Sequence, residues 1–166
     1  MSVRSAPHLA LACLTLRDGA LAVLAAHGGD ARRVTLPTAP LTLKVPVSQA
    51  VDQLVRQVTG RAAAWQAQVG AHVQDGLWIA AVAVLPADAE VAAGHAWVPP
   101  ARVPGVHGSI ARAAIDAVRT RLDHEPVAFR LLGPTFTLGD LQLVYELLLE
   151  RRVHKASFRR SLLAAH

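Results

Sequence analysis

The sequence predicts an α+β fold in which a mixed β-sheet with flanking helices is followed by a short helix-turn-helix. Two pairs of β-type runs, each joined by an Asp-Gly turn and followed by an amphipathic helix, predict the sheet domain. A change of pattern near residue 126 predicts the helical appendage. With 166 residues, 52% of them hydrophobic and 17% charged, the chain is long enough to bury one full core. We divide it into a domain at 1–125 and a module at 126–166.

Two hairpins and a later edge strand make up the predicted sheet. Both hairpin turns contain Asp-Gly, and glycine tolerates the positive φ that tight turns require. Leu77–Leu85 is continuously apolar, which predicts an interior strand. The other predicted strands are His8–Leu16, Ala20–Ala26, Val34–Leu36, Trp65–Val73 and, at the edge, Ala96–Val98.

Two helices are predicted in the sheet domain from apolar residues at helical spacing. Ser48 is expected to cap the first helix, Gln49–Thr59. Three prolines between residues 37 and 46 exclude a regular helix there, so that stretch is expected to be a loop. Ser109 or Gly108 is expected to cap the second helix, which runs through Leu122.

The segment 126–166 is predicted to contain an extended piece and two helices. Pro126–Leu132 is expected to be extended, Thr137 to cap a helix from Leu138 to about Glu150, and the last helix to begin near Ser157. Two short helices with a tight turn, the second one basic, indicate either a DNA-binding helix-turn-helix or a helical hairpin that only covers the domain or a dimer partner. The pattern alone leaves both interpretations open.

The positive charge of the chain is concentrated toward its end. The net charge is +5, residues 101–166 carry ten basic and six acidic side chains, and the last sixteen residues carry five basic side chains and no acidic one. Such a tail is typical of a contact with a polyanion, although an exposed solvated helix has the same pattern.

The composition argues against a disulfide-stabilised protein, a membrane protein and a metal-binding protein. Cys13 is the only cysteine, so an intramolecular disulfide framework is excluded and a reducing, cytoplasmic location is expected. No apolar run reaches the length of about 18–20 residues that a membrane helix needs, and no contact with a membrane is expected. The eight histidines are scattered singly without metal-ligand spacing, so no metal site is predicted.

The frame LPTAPLTLKVPVSQAVDQLVRQVTG, from Leu36 to Gly60, resembles the Nudix family, in which a Leu-Pro-Gly-Gly loop precedes a helix with Arg-Glu-Leu and Glu-Glu-Thr-Gly runs. The family's Arg-Glu pair falls on Gln53 and Leu54, and its last two glutamates fall on Gln57 and Val58. In the family those carboxylates hold divalent metal, and amide or aliphatic side chains do not replace them. We therefore expect no catalytic residue, no cofactor and no hydrolase activity.

The run FTLGDLQLVYE at 136–146, followed by FRR at 158–160, is similar to the Nudix-related transcriptional regulators called NrtR. The resemblance implies a Nudix-like ligand-sensing domain joined to a winged helix, a dimer that binds DNA, control of NAD metabolism, and a nucleotide effector such as ADP-ribose. It also agrees with the degenerate frame, because many such regulators lack hydrolase activity. The chain ends at His166, where a winged helix continues into its wing, so the module is expected to be incomplete.

The resemblance and the charge pattern together suggest two sets of site residues. The residues expected to contact DNA are Lys155, Ser157, Arg159 and Arg160. The residues expected to contact the nucleotide are Arg32, Arg33, Lys44, Arg56 and His107, of which the histidine stands where the family has an Asp-His pair. Ordinary surface charge is the competing interpretation for each cation.

Two other functions remain as alternatives. One is a Nudix-type hydrolase of nucleoside diphosphate derivatives, with relocated metal ligands at Asp75, Asp88 or Glu90. The other is a dimeric ligand-binding or protein-interaction module that does not bind DNA, in which the C-terminal helices only dimerise.

Overall fold

The computed structural model describes residues 6–27, 33–42 and 44–164. Within these ranges one mixed sheet is formed by β1 (His8–Arg17), β2 (Ala20–His27), β3 (Val34–Thr35), β4 (Thr38–Pro40), β5 (Trp65–Val73), β6 (Leu77–Val84) and β7 (His95–Val98). The helices are α1 (Val47–Thr59), α2 (Gly105–Arg119), α3 (Val127–Arg130), α4 (Leu138–Leu149) and α5 (Lys155–Ala164), with a 3-10 turn at Pro100–Arg102. None of the helices described is long and apolar enough to cross a bilayer.

Both predicted hairpins are present in the sheet. Its main order is β3-β2-β1-β6-β5, so β6 is an interior strand as expected. Asp18 and Gly19 both have positive φ, of 50° and 74°, in the turn between β1 and β2. β1 pairs antiparallel with β2 and parallel with β6, which joins the two hairpins at the centre of the sheet. β4 pairs with β1, and β7 pairs with β2.

Alternate residues of β1 lie in two separate cores, one on each face of the sheet. Leu9, Leu11 and Cys13 pack with the buried stripe of α1. Ala10, Ala12 and Leu14 pack with α2 and with the C-terminal helices. The sheet is therefore covered by α1 on one face and by α2 and the C-terminal module on the other. Burial raises the pKa of the Cys13 thiol to about 12, so this cysteine is an unreactive core residue.

The helices of the sheet domain begin earlier than their side-chain caps predicted. α1 begins at Val47, and the Pro46 carbonyl accepts the first helical hydrogen bonds, so the expected cap by Ser48 is wrong. α2 begins at Gly105 and ends at Arg119, so the expected start near Ser109 and end at Leu122 are also wrong. In both cases a proline with extended backbone stands at the N-cap position, and neither helix has a hydrogen bond from a capping side chain.

Two segments have a secondary structure that differs from the predicted one. Pro126–Leu132 is not extended, because Val127–Arg130 forms the single helical turn α3. This conformation buries the adjacent residues Val127 and Ala128 together with Leu131, whereas an extended strand would turn Val127 and Ala128 to opposite faces. The predicted loop between residues 37 and 46 contains the short strand β4, which pairs with the start of β1. That pairing is a tertiary contact which the prolines did not exclude, since β4 lies at an edge.

Candidate functional site

The second helix of the C-terminal pair, α5, presents the most basic surface among the described residues. Lys155, Ser157, Arg159 and Arg160 are all exposed, and we call them the α5 basic surface. Arg151, Arg152 and His154, in the turn before α5, are exposed as well. No acidic residue occurs in the described residues 151–164. No acidic side chain within residues 151–164 can therefore pair with these cations in place of a phosphate group.

Phe158 fixes the orientation of the α5 basic surface. Its side chain is only 6% exposed and packs edge-on against Tyr145 of α4, with 5.0 Å between ring centroids. The Tyr145 hydroxyl donates a hydrogen bond to the Leu122 carbonyl at 3.2 Å. Phe158 is a core residue and Tyr145 is half-buried against it, and their packing turns the cationic positions of α5 outward.

The turn between α4 and α5 is held by side chains of α4. The Gln142 amide donates to the Val153 carbonyl at 2.9 Å, and Glu146 accepts a hydrogen bond from the Val153 amide at 2.9 Å. These hydrogen bonds, from the Val153 backbone first and from Gln142 second, lower the pKa of the Glu146 carboxyl. The geometry of the turn is thus fixed by a polar network and not only by apolar packing.

The N-terminus of α4 carries the cap that the sequence predicted. The Thr137 hydroxyl accepts the Asp140 amide at 3.1 Å, and the Asp140 carboxylate accepts the Thr137 amide at 2.7 Å. This reciprocal capping box satisfies two backbone donors and lowers the pKa of Asp140. The capping box therefore fixes the residue at which the helix pair begins.

In the sheet domain, α1 occupies the Nudix-like frame but presents no carboxylate where the family has its metal ligands. Leu54 and Val58 are 3% and 2% exposed and pack into the core against the sheet. Gln53 and Gln57 are exposed. Asp52, the only acidic residue of the frame, forms an ion pair with Arg56 at 3.0 Å. Two of the three positions that carry glutamates in the family, Leu54 and Val58, are therefore used for packing.

The described part of the chain contains no group of three or more His, Cys, Asp or Glu side chains that could hold a metal ion. The relocated ligands considered above do not converge either. Asp75 precedes β6 and Asp88 follows it, so a strand of eight residues, about 25 Å long, separates them. Asp88 is moreover paired with Arg61 at 3.2 Å.

A cleft of about 150 Å³ lies between the start of α1 and the edge strand β5. Its lining residues are Val47, Ser48, Val51, Gln66, Ala67 and Gln68. The Oε1 atom of Gln66 is buried and has no hydrogen-bond partner among the described residues. Sequence reasoning missed this glutamine, because only the pairing of β5 with β6 turns it toward α1. The cleft combines an apolar wall with amide and hydroxyl groups, as small-ligand sites do.

The residues expected to contact a nucleotide lie at different places in the sheet domain. Arg33 is exposed before β3, and Lys44 is exposed in the turn before α1. Arg56 lies on α1, on the opposite face of the sheet from α2, which carries His107. The structure thus separates Arg56 from His107 by the sheet. Arg32 lies outside the described residues.

His107 packs in an aromatic cluster at the start of α2. Its ring centroid is 5.1 Å from that of Trp78 in an edge arrangement, and Trp78 is in turn 5.5 Å from His8. Burial lowers the pKa of His107, and its Nδ1 atom has no partner among the described residues. A neutral imidazole with a free ring nitrogen can accept or donate one hydrogen bond to a ligand. The local sequence contained no signal for this cluster, which the parallel pairing of His8 with Trp78 creates.

Comparison with known proteins bears on both parts of the chain. Residues 128–166 match the family model of the NrtR DNA-binding winged helix domain. No curated protein matches the chain. Among solved structures, NrtR of Shewanella oneidensis is 19% identical, has a TM-score of 0.83, and is matched over 97% of this chain and 86% of that one.

Two further structures of the Shewanella oneidensis regulator share the fold. Its complex with a 27mer DNA is 18% identical, with a TM-score of 0.81 and coverage of 95% of this chain and 82% of that one. Its Nudix domain in complex with ADP ribose is 13% identical, with a TM-score of 0.57 and coverage of 69% and 88%. The predicted α+β fold class and the resemblance to NrtR are thereby confirmed: a Nudix-like fold precedes an NrtR-type winged-helix domain.

Proposed function

We propose that this chain, with its NrtR-type winged-helix domain, is a non-catalytic, cytoplasmic transcriptional regulator that binds DNA and senses a nucleotide such as ADP-ribose. The observation that carries the proposal is the α5 basic surface, exposed behind a buried Phe158 in the segment that matches the DNA-binding family model. Outward cations on a rigidly held second helix are what a helix-turn-helix needs to enter the major groove.

The proposed DNA contacts are made by the α5 basic surface in two ways. Lys155 and Arg160 are assigned to phosphate groups, whose contacts set affinity and its salt dependence. Ser157 and Arg159 are assigned to base edges or phosphates near the start of the helix, where the backbone of a recognition helix comes closest to the groove. A homodimer would present two such helices to a palindromic operator.

The proposed nucleotide site is in the sheet domain. The relative of known structure with the same fold is bound to ADP ribose through its Nudix domain. In this chain the candidate contacts are the cleft beside Gln66 and the cations Arg33, Lys44 and Arg56, with Arg32. His107, on the other face of the sheet, is the alternative candidate contact. Cations meet a diphosphate without metal through charge-assisted hydrogen bonds.

The packing of α1 supports the proposal that the chain does not hydrolyse nucleotides. Leu54 and Val58 support the fold of the sheet domain from within the core, where a metal-binding carboxylate would be desolvated. A hydrolase would need another set of converging oxygen ligands, and the position of Asp75 and Asp88 at opposite ends of β6 argues against such a set. Control of genes of NAD metabolism is the biological role that this proposal carries with it.

A binding titration tests the proposal. Fluorescence anisotropy is recorded for labelled duplex DNA from upstream of the chain's own gene, at low and at moderate salt, with and without ADP-ribose. We expect salt-sensitive binding that ADP-ribose weakens, and no release of nucleoside monophosphate when ADP-ribose and Mg²⁺ are added. Absence of any shift at low salt would contradict DNA binding, whereas release of a nucleoside monophosphate would favour the hydrolase.

A further inference from the structure

Arg119, the last residue of α2, joins the sheet domain to the helix pair through two contacts, and a third contact holds its guanidinium on α2. Its Nε atom donates to the Leu148 carbonyl at 2.5 Å, in the last turn of α4. Its guanidinium also pairs with Asp116 at 2.8 Å, on its own helix, and with Glu150 at 3.4 Å, immediately after α4. One side chain therefore holds the C-terminal end of α4 against the end of α2.

The contact with Leu148 satisfies a backbone group that helix geometry leaves open. The last four carbonyls of a helix have no partner within the helix, and a cation near them also complements the helix dipole. The chain leaves α4 through Glu150, a non-glycine residue in the left-handed region with φ of 52°. Arg119 therefore stabilises a helix end where the backbone makes its sharpest change of direction before α5.

The planar guanidinium is suited to this task in a way that lysine is not. It offers several N–H groups in a fixed fork, and Arg119 uses three separate nitrogens for three acceptors. Asp116 holds the guanidinium from the side of the sheet domain, while Leu148 and Glu150 belong to the module. Arg119 is 31% exposed, but Asp116 and Glu150 are 64% and 78% exposed, so water screens both ion pairs and the hydrogen bond to the Leu148 carbonyl is the main tie.

The other contacts that the structure describes between the sheet domain and the helix pair involve no charged group. The Tyr145 hydroxyl donates to the Leu122 carbonyl at 3.2 Å. This hydrogen bond joins two neutral groups, and Leu122 lies three residues after Arg119. The apolar core between α2 and α4 is without directional specificity. Among the described residues, Arg119 makes the only side-chain hydrogen bond to a backbone carbonyl in the last turn of α4. Arg119 therefore anchors the end of α4 on the sheet domain, while Phe158 and the hydrogen-bonded Val153 turn orient α5 relative to α4.

We infer that Arg119 is a positioning residue for DNA binding: by fixing the end of α4 on the sheet domain, it sets the direction in which the α5 basic surface is presented. This inference rests on the proposed DNA-binding function. Two recognition helices must match a fixed spacing on an operator, so a loose α4–α5 turn weakens specific binding even though every DNA contact is retained. Arg119 itself acts through Leu148 and Glu150 and touches no nucleic acid in this scheme.

The test compares Arg119→Met with Arg112→Met, which removes the same charge from an exposed position of the same helix. Among the described residues, Ser109 is the one side-chain hydrogen-bond partner of Arg112. DNA affinity and its dependence on salt are measured for both. We expect Arg119→Met to weaken specific binding by about tenfold, the loss expected for a charge-assisted hydrogen bond. The slope of log Kd against log salt should stay unchanged, because no phosphate contact is lost. Arg112→Met should bind like the parent protein.

Hydrogen exchange of the free protein supplies the second readout. In Arg119→Met the amides of residues 150–158 should exchange about tenfold faster, while those of β1 and β6 remain as protected as before. Unchanged exchange and affinity would overturn the inference, and so would a salt slope reduced by about one, which would make Arg119 a phosphate contact. If the parent protein binds no DNA, the proposed function fails, while the exchange result still decides whether Arg119 holds the turn.

Discussion

The Glu146 carboxylate accepts the backbone N–H of Val153 at 2.9 Å and thereby closes the turn between the two C-terminal helices. Gln142 supports the same turn from one helical turn earlier, by donating to the Val153 carbonyl. A turn closed by side chains of the preceding helix is a local device, yet it determines where the α5 basic surface begins. Because the Glu146 carboxyl is ionisable, the stability of the helix pair depends on pH.

The first prediction concerns that dependence. The pKa of Glu146 is below its ordinary value of 4.5 in the folded protein, so its contribution is fully present above about pH 4.5 and is lost as pH falls through the lowered pKa. Glu146→Gln keeps an acceptor oxygen but does not titrate. Urea unfolding between about pH 7 and about pH 3 should show the parent more stable at neutral pH, with the difference shrinking in acid. A constant difference would contradict the prediction.

Phe158 provides the second prediction. Replacement by alanine removes a buried ring and its edge contact with Tyr145, so we expect a loss of about 3 kcal/mol in the free energy of unfolding of the helical module. Leu163→Ala is the matched control on α5, since that leucine is 72% exposed and its loss should change stability by less than about 0.5 kcal/mol. Equal effects of the two changes, measured by urea denaturation, would count against a core role for Phe158.

The third prediction separates DNA contacts from general charge. Arg160→Ala should weaken DNA binding by roughly tenfold and lower the salt slope by about one, as loss of a phosphate contact does. Arg102→Ala removes the same charge from an exposed site of the sheet domain and should leave both quantities unchanged. Anisotropy titrations at several salt concentrations measure both. A similar loss in the two variants would mean that net charge alone drives binding.

A fourth prediction follows from a close backbone approach at the start of α2. A Cβ atom at Gly108 would lie 2.2 Å from the Val103 carbonyl oxygen, a distance that requires the backbone to move. Gly108→Ala should therefore destabilise the protein by about 2 kcal/mol. Gly139→Ala, where the nearest atom is 3.5 Å from the new Cβ, should be neutral or stabilise by about 0.5 to 1 kcal/mol through helix propensity. Thermal unfolding of the two variants checks the order.

The fifth prediction concerns the degenerate frame. Val58→Glu restores a carboxylate of the family pattern but places it in the core, where Val58 is 2% exposed. We expect a loss of about 3 kcal/mol or more and no gain of metal-dependent hydrolysis. Gln57→Glu, at the exposed neighbouring position, should change stability by less than about 0.5 kcal/mol. Mg²⁺-dependent turnover of ADP-ribose by Val58→Glu would show that the site retained its catalytic geometry.

The sequence predicted the candidate DNA-binding surface better than the candidate ligand site. Lys155, Arg159 and Arg160 lie on one short helix, so their shared surface follows from helical periodicity and the burial of Phe158. The ligand candidates come from separate segments, and only the sheet decides their relative positions. It places Arg56 and His107 on opposite faces and brings Trp78 beside His107, neither of which local spacing encodes.

The sequence by itself determined the elements whose cause is local: the two Asp-Gly hairpins, the interior strand Leu77–Val84, and the Thr137 cap with its partner Asp140. Propensity, alternation and side-chain caps act within a few residues, so they can be read in order along the chain. Tertiary structure alone decided the parallel pairing of β1 with β6 and the tie from Arg119 to Leu148. Those contacts join residues 29 or more positions apart, and their free energy depends on the assembled core.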